Sequence, residues 1–279
     1  MKKQVILASF GALLVLFLYV GLSTTSNQKS VVNTTPQNPQ SIDIQSFISE
    51  SKKELPTTQL DILSKLEKDL SSQDANVLTG VANFWRDSAR KFLPYAYYLS
   101  QAAKLDNSEK SLTFAAQLIL SNLRVEHDGA KIEWLSTEAI SLFEKAIILN
   151  PENDDLRVGL GSCYVFGKGR NGDPQQTMKG IQELLAVVRK DSTNMKAQLV
   201  LGAGGYISGQ YDKAISRLNK VVEAQPGNLE AIAFLADAYA ASGKNTEAIK
   251  WYQISKRLAD NPAYTKEVDE RIKLLENKK

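Results

Sequence analysis

The residues of this sequence that are best suited to chemistry lie in three short clusters. The first, Gly167-Lys168-Gly169-Arg170-Asn171-Gly172, follows the pattern G-x-G-x-x-G. In dinucleotide-binding domains this motif joins a strand to a helix and holds a pyrophosphate. Here residues 156–166 precede it with the apolar spacing of an amphipathic helix. The pattern therefore predicts a flexible connector, in which Lys168 and Arg170 are available to an acidic partner.

The other two clusters contain the single histidine and the single cysteine. Glu126-His127-Asp128 invites a metal hypothesis, but with one His and one Cys the common multi-His and multi-Cys sites are excluded. A catalytic Cys163 would need a neighbouring base, and His127 lies in a different predicted loop. Walker A and G-x-S-x-G motifs are absent from the sequence. We predict that the protein is not an enzyme, with no catalytic residue, cofactor or metal ligand.

The charge balance argues against a nucleic-acid partner. Lys and Arg number 34 and Asp and Glu 31, for a net charge of +3, and Lys2 and Lys3 supply two of those three charges. The rest of the chain is nearly neutral and offers no large basic surface. Apolar residues make up 43% of the sequence, which is typical of a folded protein.

The N-terminus has the pattern of a membrane anchor. Residues 5–22 are apolar and, as a helix, would span roughly 27 Å, close to the hydrocarbon core of a bilayer. Lys2 and Lys3 precede this segment. The positive-inside rule predicts a single-pass protein with a cytoplasmic stub of residues 1–4 and a periplasmic or other extracytoplasmic body. A signal peptide cleaved near Gly21-Leu22-Ser23 is the alternative. Residues 23–42, rich in Ser, Thr, Asn, Gln and Pro, predict a flexible linker.

The remainder of the chain carries an internal repeat. Residues 195–228 and 229–262 align over their whole length, with Leu201 opposite Leu235, Gly209 opposite Gly243 and Ala214 opposite Ala248. Each window contains two amphipathic segments separated by a Gly turn. This pattern predicts a stack of helix pairs.

At these positions the chain resembles the tetratricopeptide repeat (TPR) family. The small residues Gly202 and Ala214, with Tyr211 and Pro226, stand where that family lets two helices approach and then ends the second. Degenerate units extend upstream, two of them with insertions, so the resemblance covers residues 74–262. It implies an all-α TPR solenoid of about five helix-turn-helix units.

Helical segments are predicted on both sides of the array. Residues 263–279 form an amphipathic capping helix. Residues 43–73 form two helices separated at Pro56, and the second carries a leucine stripe at Leu60, Leu63, Leu66 and Leu70. We favour packing of this stripe on the first repeat over a short dimerising coil.

The resemblance also implies a partner-binding groove, lined by the first helix of each unit through its second, fifth, ninth and twelfth positions. In this sequence these positions are Asp155, Val158, Ser162, Val165, Lys196, Leu199, Ala203, Tyr206, Glu230, Ala233, Asp237 and Ala240. The basic residues and asparagines with which chaperone-binding members grip a terminal carboxylate are missing from these positions. A mixed apolar and polar groove for a protein or peptide segment is expected instead.

These features together predict a membrane-anchored TPR scaffold for protein–protein interaction on the exported side of the membrane. An assembly factor of a bacterial envelope is the narrower form of this prediction. A structural homo-oligomer of the cell envelope and a secreted TPR protein with a cleaved signal are the alternatives.

Overall fold

The computed structural model describes residues 40–72 and 74–277. The predicted stub, the transmembrane segment of residues 5–22 and most of the linker lie outside these residues. Within the described part, no helix is both long enough and apolar enough to cross a membrane.

The described residues form thirteen α-helices and no β-strand. The helices are α1 (Ile44–Lys53), α2 (Thr57–Glu67), α3 (Ala75–Asn83), α4 (Phe92–Asp106), α5 (Glu109–Leu123), α6 (Gly129–Leu149), α7 (Asp154–Cys163), α8 (Pro174–Lys190), α9 (Met195–Ile207), α10 (Tyr211–Ala224), α11 (Leu229–Ala241), α12 (Asn245–Ala259) and α13 (Pro262–Glu276). Two π-helical segments, Phe84–Ser88 and Tyr164–Gly169, continue α3 and α7. From α3 to α12 the helices pack as five successive pairs.

Local sequence signals set the beginnings of the first helices in the last three units. The side-chain oxygens of Asn153, Asn194 and Asn228 accept hydrogen bonds from backbone N–H groups in the first turns of α7, α9 and α11. Asn261 does the same for α13. These caps satisfy donors that would otherwise be unpaired at each helix start. Gly209 and Gly243, with φ of +75° and +77°, end the first helices of the last two pairs.

The core is a series of neighbouring apolar clusters rather than one centre. One joins α4 to α7 around Phe143 and Leu135, another joins α9 to α12 around Leu218 and Ile232, and the last holds α13 against α11 and α12. Each of these clusters therefore spans neighbouring helix pairs, as expected for a solenoid.

The N-terminal helices cover the first helix pair. Leu63 of α2 is 1% exposed and shares a cluster with Trp85 and Tyr95. Leu66 and Leu70 pack against the same cluster, whereas Leu60 faces solvent. The leucine stripe thus packs on the first repeat, which is the first of the two alternatives.

Candidate partner-binding groove

The groove lies where the first helices of successive pairs face one another. Side chains from α5, α7 and α9 line a cavity of about 190 Å³ that includes Leu120, Asp155 and Leu199. A second cavity, of about 330 Å³, is lined by residues at the end of α5, in the π-helical segment after α7, and in α9 and α11. We use "groove" for the surface that contains these two cavities.

The twelve predicted groove residues differ widely in exposure. Asp155 and Lys196 are exposed and form an ion pair with 3.0 Å between Oδ1 and Nζ. Five residues are partly exposed, namely Tyr206, Glu230, Ala233, Asp237 and Ala240. Five are buried, namely Val158, Ser162, Val165, Leu199 and Ala203.

The buried residues fall into two groups. Val158, Ser162 and Leu199 still line the cavity of about 190 Å³, so their surfaces form its wall. Val165 and Ala203 are 0% exposed and belong to the cluster between α7, α8 and α9. The structure thus places Val165 and Ala203 in the apolar core of the array.

The π-helical segment explains why Val165 points inward. In π-helical backbone the hydrogen bonds run from residue i to i+5, so the α-helical spacing of groove positions stops applying there. The next residue, Phe166, is 4% exposed and belongs to the same cluster, but it also lines the cavity of about 330 Å³. Its ring centroid lies 6.2 Å from that of Phe234 on α11.

Three aromatic side chains from three different units meet in this second cavity. The Tyr206 ring lies 6.1 Å from the Phe234 ring and completes a wall with Phe166. We call the cavity lined by Phe166, Tyr206 and Phe234 the aromatic pocket. Burial raises the pKa of Tyr206 above its usual range, so the phenol stays protonated and can donate a hydrogen bond.

An ion pair crosses the groove beside the aromatic pocket. Arg124, immediately after α5, pairs with Glu230 in the first turn of α11, although 106 residues separate them in the sequence. The Arg124 guanidinium also lies 4.4 Å from the centre of the Phe166 ring. We call the ion pair the Arg124–Glu230 bridge.

Sequence reasoning missed Arg124, Phe166 and Phe234. Phe234 follows the predicted Ala233 directly, and its large ring beside a groove position was a usable signal. Arg124 carries no such signal, because its place in the groove depends on how four helix pairs stack.

Asp237 is occupied by contacts within the protein. Its Oδ1 accepts a hydrogen bond from Tyr252 Oη at 2.5 Å and one from Arg271 Nη1 at 2.8 Å. Arg271 belongs to α13 and also pairs with Glu267. Asp237 therefore ties the capping helix to the last repeat, a role that its groove position alone did not indicate.

The structure corrects the prediction of a flexible connector at residues 167–172. Lys168 pairs with Glu133 and donates to Thr137 Oγ1, while Arg170 donates to the carbonyl oxygens of Leu123, Arg124 and Glu126. A Cβ on Gly167 would lie 2.4 Å from Ser136 Cβ. The segment is closely packed, and both cations are used to hold α5 and α6 in place.

The remaining candidates for chemistry are Cys163 and the segment around His127. Cys163 is fully buried, and burial raises the pKa of its thiol, which disfavours the reactive thiolate. His127 is exposed. Among the residues that the structure describes, no three His, Cys, Asp or Glu side chains are grouped as a metal site would require.

Comparisons with known proteins agree with this architecture. Residues 206–266, from the end of α9 into α13, match the tetratricopeptide repeat family. A thermophilic TPR protein of Thermus thermophilus superposes with a TM-score of 0.52 at 15% identity, over 72% of this chain and 98% of that one. This likeness shows the fold.

Two further solved structures are less similar in shape. YrrB, a TPR protein with an unusual peptide-binding site, gives a TM-score of 0.44 at 19% identity, over 75% of this chain and 97% of that one. MamA of Desulfovibrio magneticus gives 0.47 at 18% identity, over 67% and 95%. Comparison with curated proteins yields no match.

The described part of this chain is an all-helical, TPR-like solenoid with TPR sequence in its C-terminal repeats. The all-α solenoid predicted from the repeat is confirmed. This fold is consistent with a scaffold for protein–protein interaction.

Proposed function

We propose that this protein is a membrane-anchored scaffold that holds an extended segment of a partner protein on the exported side of the membrane. The observation that carries the binding role is the groove, where residues from five helices line two cavities. Concave, mostly apolar cavities with a few placed polar groups are the usual form of binding sites. TPR-repeat proteins are generally non-catalytic scaffolds, and we propose no reaction.

The anchoring part of the proposal rests on the sequence before residue 40. Lys2 and Lys3 precede the apolar residues 5–22, and a polar linker follows. By the positive-inside rule this order supports an array outside the cytoplasm, tethered near the membrane surface where it can meet its partners. An assembly factor that keeps a client segment close to the membrane suits this arrangement.

A photocrosslinking experiment in membranes of the source organism tests the groove. Lys196→p-benzoylphenylalanine places the crosslinker at the groove, at the cost of one exposed ion pair of small energetic value. Lys220→p-benzoylphenylalanine, on the exposed face of α10, is the matched control. We expect a discrete partner adduct from position 196 and none from position 220.

A second substitution links the adduct to the aromatic pocket. Tyr206→Ala should abolish the adduct at position 196 while helicity by circular dichroism stays that of the wild type, because Tyr206 is only partly buried. A persisting adduct would show that the partner does not use the pocket. An adduct of the protein with itself would favour the structural homo-oligomer.

Protease added outside the cytoplasmic membrane tests the topology. Digestion of the array with a protected N-terminal fragment is expected for a retained anchor. A mature protein that begins near residue 24 would replace the anchor with a cleaved signal, and protection of the whole array would reverse the proposed orientation.

A further inference from the structure

The Arg124–Glu230 bridge contributes to the walls of two cavities. One is a cavity of about 540 Å³ that Leu120 and Val125 also line. The other is the aromatic pocket of the groove. A segment that fills both cavities contacts both residues of this ion pair and competes with it.

The two halves of the bridge are held unequally. The Arg124 guanidinium packs over the Phe166 ring, and its backbone carbonyl accepts a hydrogen bond from Arg170. The Arg124 guanidinium therefore has a stabilising contact that does not depend on Glu230. The Glu230 side chain is 37% exposed and lies in the first turn of α11, where a carboxylate is favoured even when it is unpaired. Moving the Glu230 side chain out of the ion pair therefore costs less free energy than moving the Arg124 side chain.

The charge that remains after Glu230 turns away is positive. The charged residues lining the aromatic pocket are Arg124, Arg170 and Glu230, so positive charge exceeds negative charge there. The Arg170 guanidinium already donates to backbone carbonyl oxygens, which leaves Arg124 as the group that pairs with a carboxylate. Its walls are apolar and aromatic. A carboxylate of the partner, next to a large apolar side chain, complements both the positive charge and the apolar walls of the pocket.

We infer that the groove selects an extended segment in which an aromatic residue stands beside an aspartate or glutamate. The aromatic ring enters the pocket of Phe166, Tyr206 and Phe234. The acidic side chain takes the place of Glu230 on Arg124. Because the two cavities share the bridge residues, a segment long enough to reach both carries the acidic group as an internal residue rather than as a chain terminus. This inference rests on the proposed function, since it names the chemistry of the segment that the groove holds.

The test uses the full chain in detergent and three fluorescein-labelled, C-terminally amidated Gly/Ser peptides. Their central pairs are Phe-Glu, Phe-Gln and Ala-Glu, and fluorescence polarisation measures each Kd. For the wild type we expect Phe-Glu to bind about fivefold more tightly than Phe-Gln, the upper end for a part-exposed ion pair. Ala-Glu should bind most weakly.

Two substitutions in the bridge should act in opposite directions. Arg124→Gln should remove the preference for Phe-Glu over Phe-Gln. Glu230→Gln should tighten Phe-Glu binding relative to the wild type, because the internal competitor for Arg124 is gone. Arg189→Gln, near the end of α8, and Glu247→Gln, in the first turn of α12, are matched exposed controls. They should change neither the preference for Phe-Glu over Phe-Gln nor the Kd for Phe-Glu.

The outcomes separate this inference from the proposed function. Equal binding of Phe-Glu and Phe-Gln by the wild type would overturn the inference and leave the groove as a peptide site. Weaker Phe-Glu binding by Glu230→Gln would also overturn it. If neither Phe peptide binds the wild type or Glu230→Gln more tightly than Ala-Glu does, the aromatic pocket is not a peptide site, and the proposed groove fails as well.

Discussion

The capping helix α13 offers a direct test of how the array ends. Val268, Ile272 and Leu275 are 2%, 7% and 9% exposed and pack against Ala236 and Tyr252 of the last pair. Leu274, on the same helix, is 65% exposed. Truncation of Ile272 removes buried contacts, and truncation of Leu274 removes almost none.

The two substitutions should therefore differ in free energy. Ile→Ala changes in protein cores cost about 2–5 kcal/mol. For Ile272→Ala we expect about 2–3 kcal/mol, the lower part of this range, because a terminal helix has neighbours on one side only and relaxes more easily. Leu274→Ala should lie within about 0.5 kcal/mol of the wild type, since surface changes are usually that small.

Amide hydrogen exchange measured helix by helix is the appropriate assay. A loss of 2–3 kcal/mol corresponds to about a 30- to 160-fold fall in the protection of α13, with α9 unchanged, because terminal units open independently of distant ones. Leu274→Ala should leave the protection of α13 within about threefold. Equal losses in both variants would show that Ile272 is not a core contact and that α13 does not cap the array as described.

Other contacts give predictions of the same kind. Gly167→Ala should lower the free energy of unfolding by about 1–3 kcal/mol, because its Cβ would overlap a packed neighbour, whereas Gly227→Ala, with no atom within 4 Å, should be nearly neutral in denaturant titrations. Asp237→Asn should weaken the ionic contact with Arg271 and lower the protection of α13 about tenfold, while α9 keeps wild-type exchange. Burial raises the pKa of Tyr98 above its ordinary value of about 10, so stability is retained below about pH 10 and lost above it, where the unfolded phenol ionises first. Tyr98→Phe should therefore show a shallower fall in melting temperature between about pH 9 and about pH 11, and an unchanged fall would contradict this assignment.

The sequence alone determines the local architecture of the array. Helix pairs, their Gly turns and the capping helix follow from short-range causes, since apolar spacing, Asn caps and φ-positive glycines act within a few residues. The sequence pattern pairs Gly202 with Ala214 at the close approach of two helices, and the structure confirms the two helices but not the contact between these two residues. A Cβ on Gly202 would meet Leu218 at 2.6 Å, and Gly205 is the glycine that lies against Ala214.

Local register within the third pair could not be derived from the sequence. The repeat spacing places Val165 in the groove, but the π-helical segment ends the α-helical spacing and brings Phe166 to the cavity. The glycines of residues 167–172 resembled a loop because glycine favours loops. In the structure, Gly167 permits close contact with Ser136 instead.

The composition of the groove depends on the tertiary structure most of all. Arg124 meets Glu230 only because the small rotation between each helix pair and the next accumulates until α5 and α11 approach each other. That rotation is the sum of many side-chain contacts, and no single sequence window contains it. The helices and turns of each repeat therefore follow from the sequence. The pairing of a cation and a carboxylate 106 residues apart is decided by the packing between repeats.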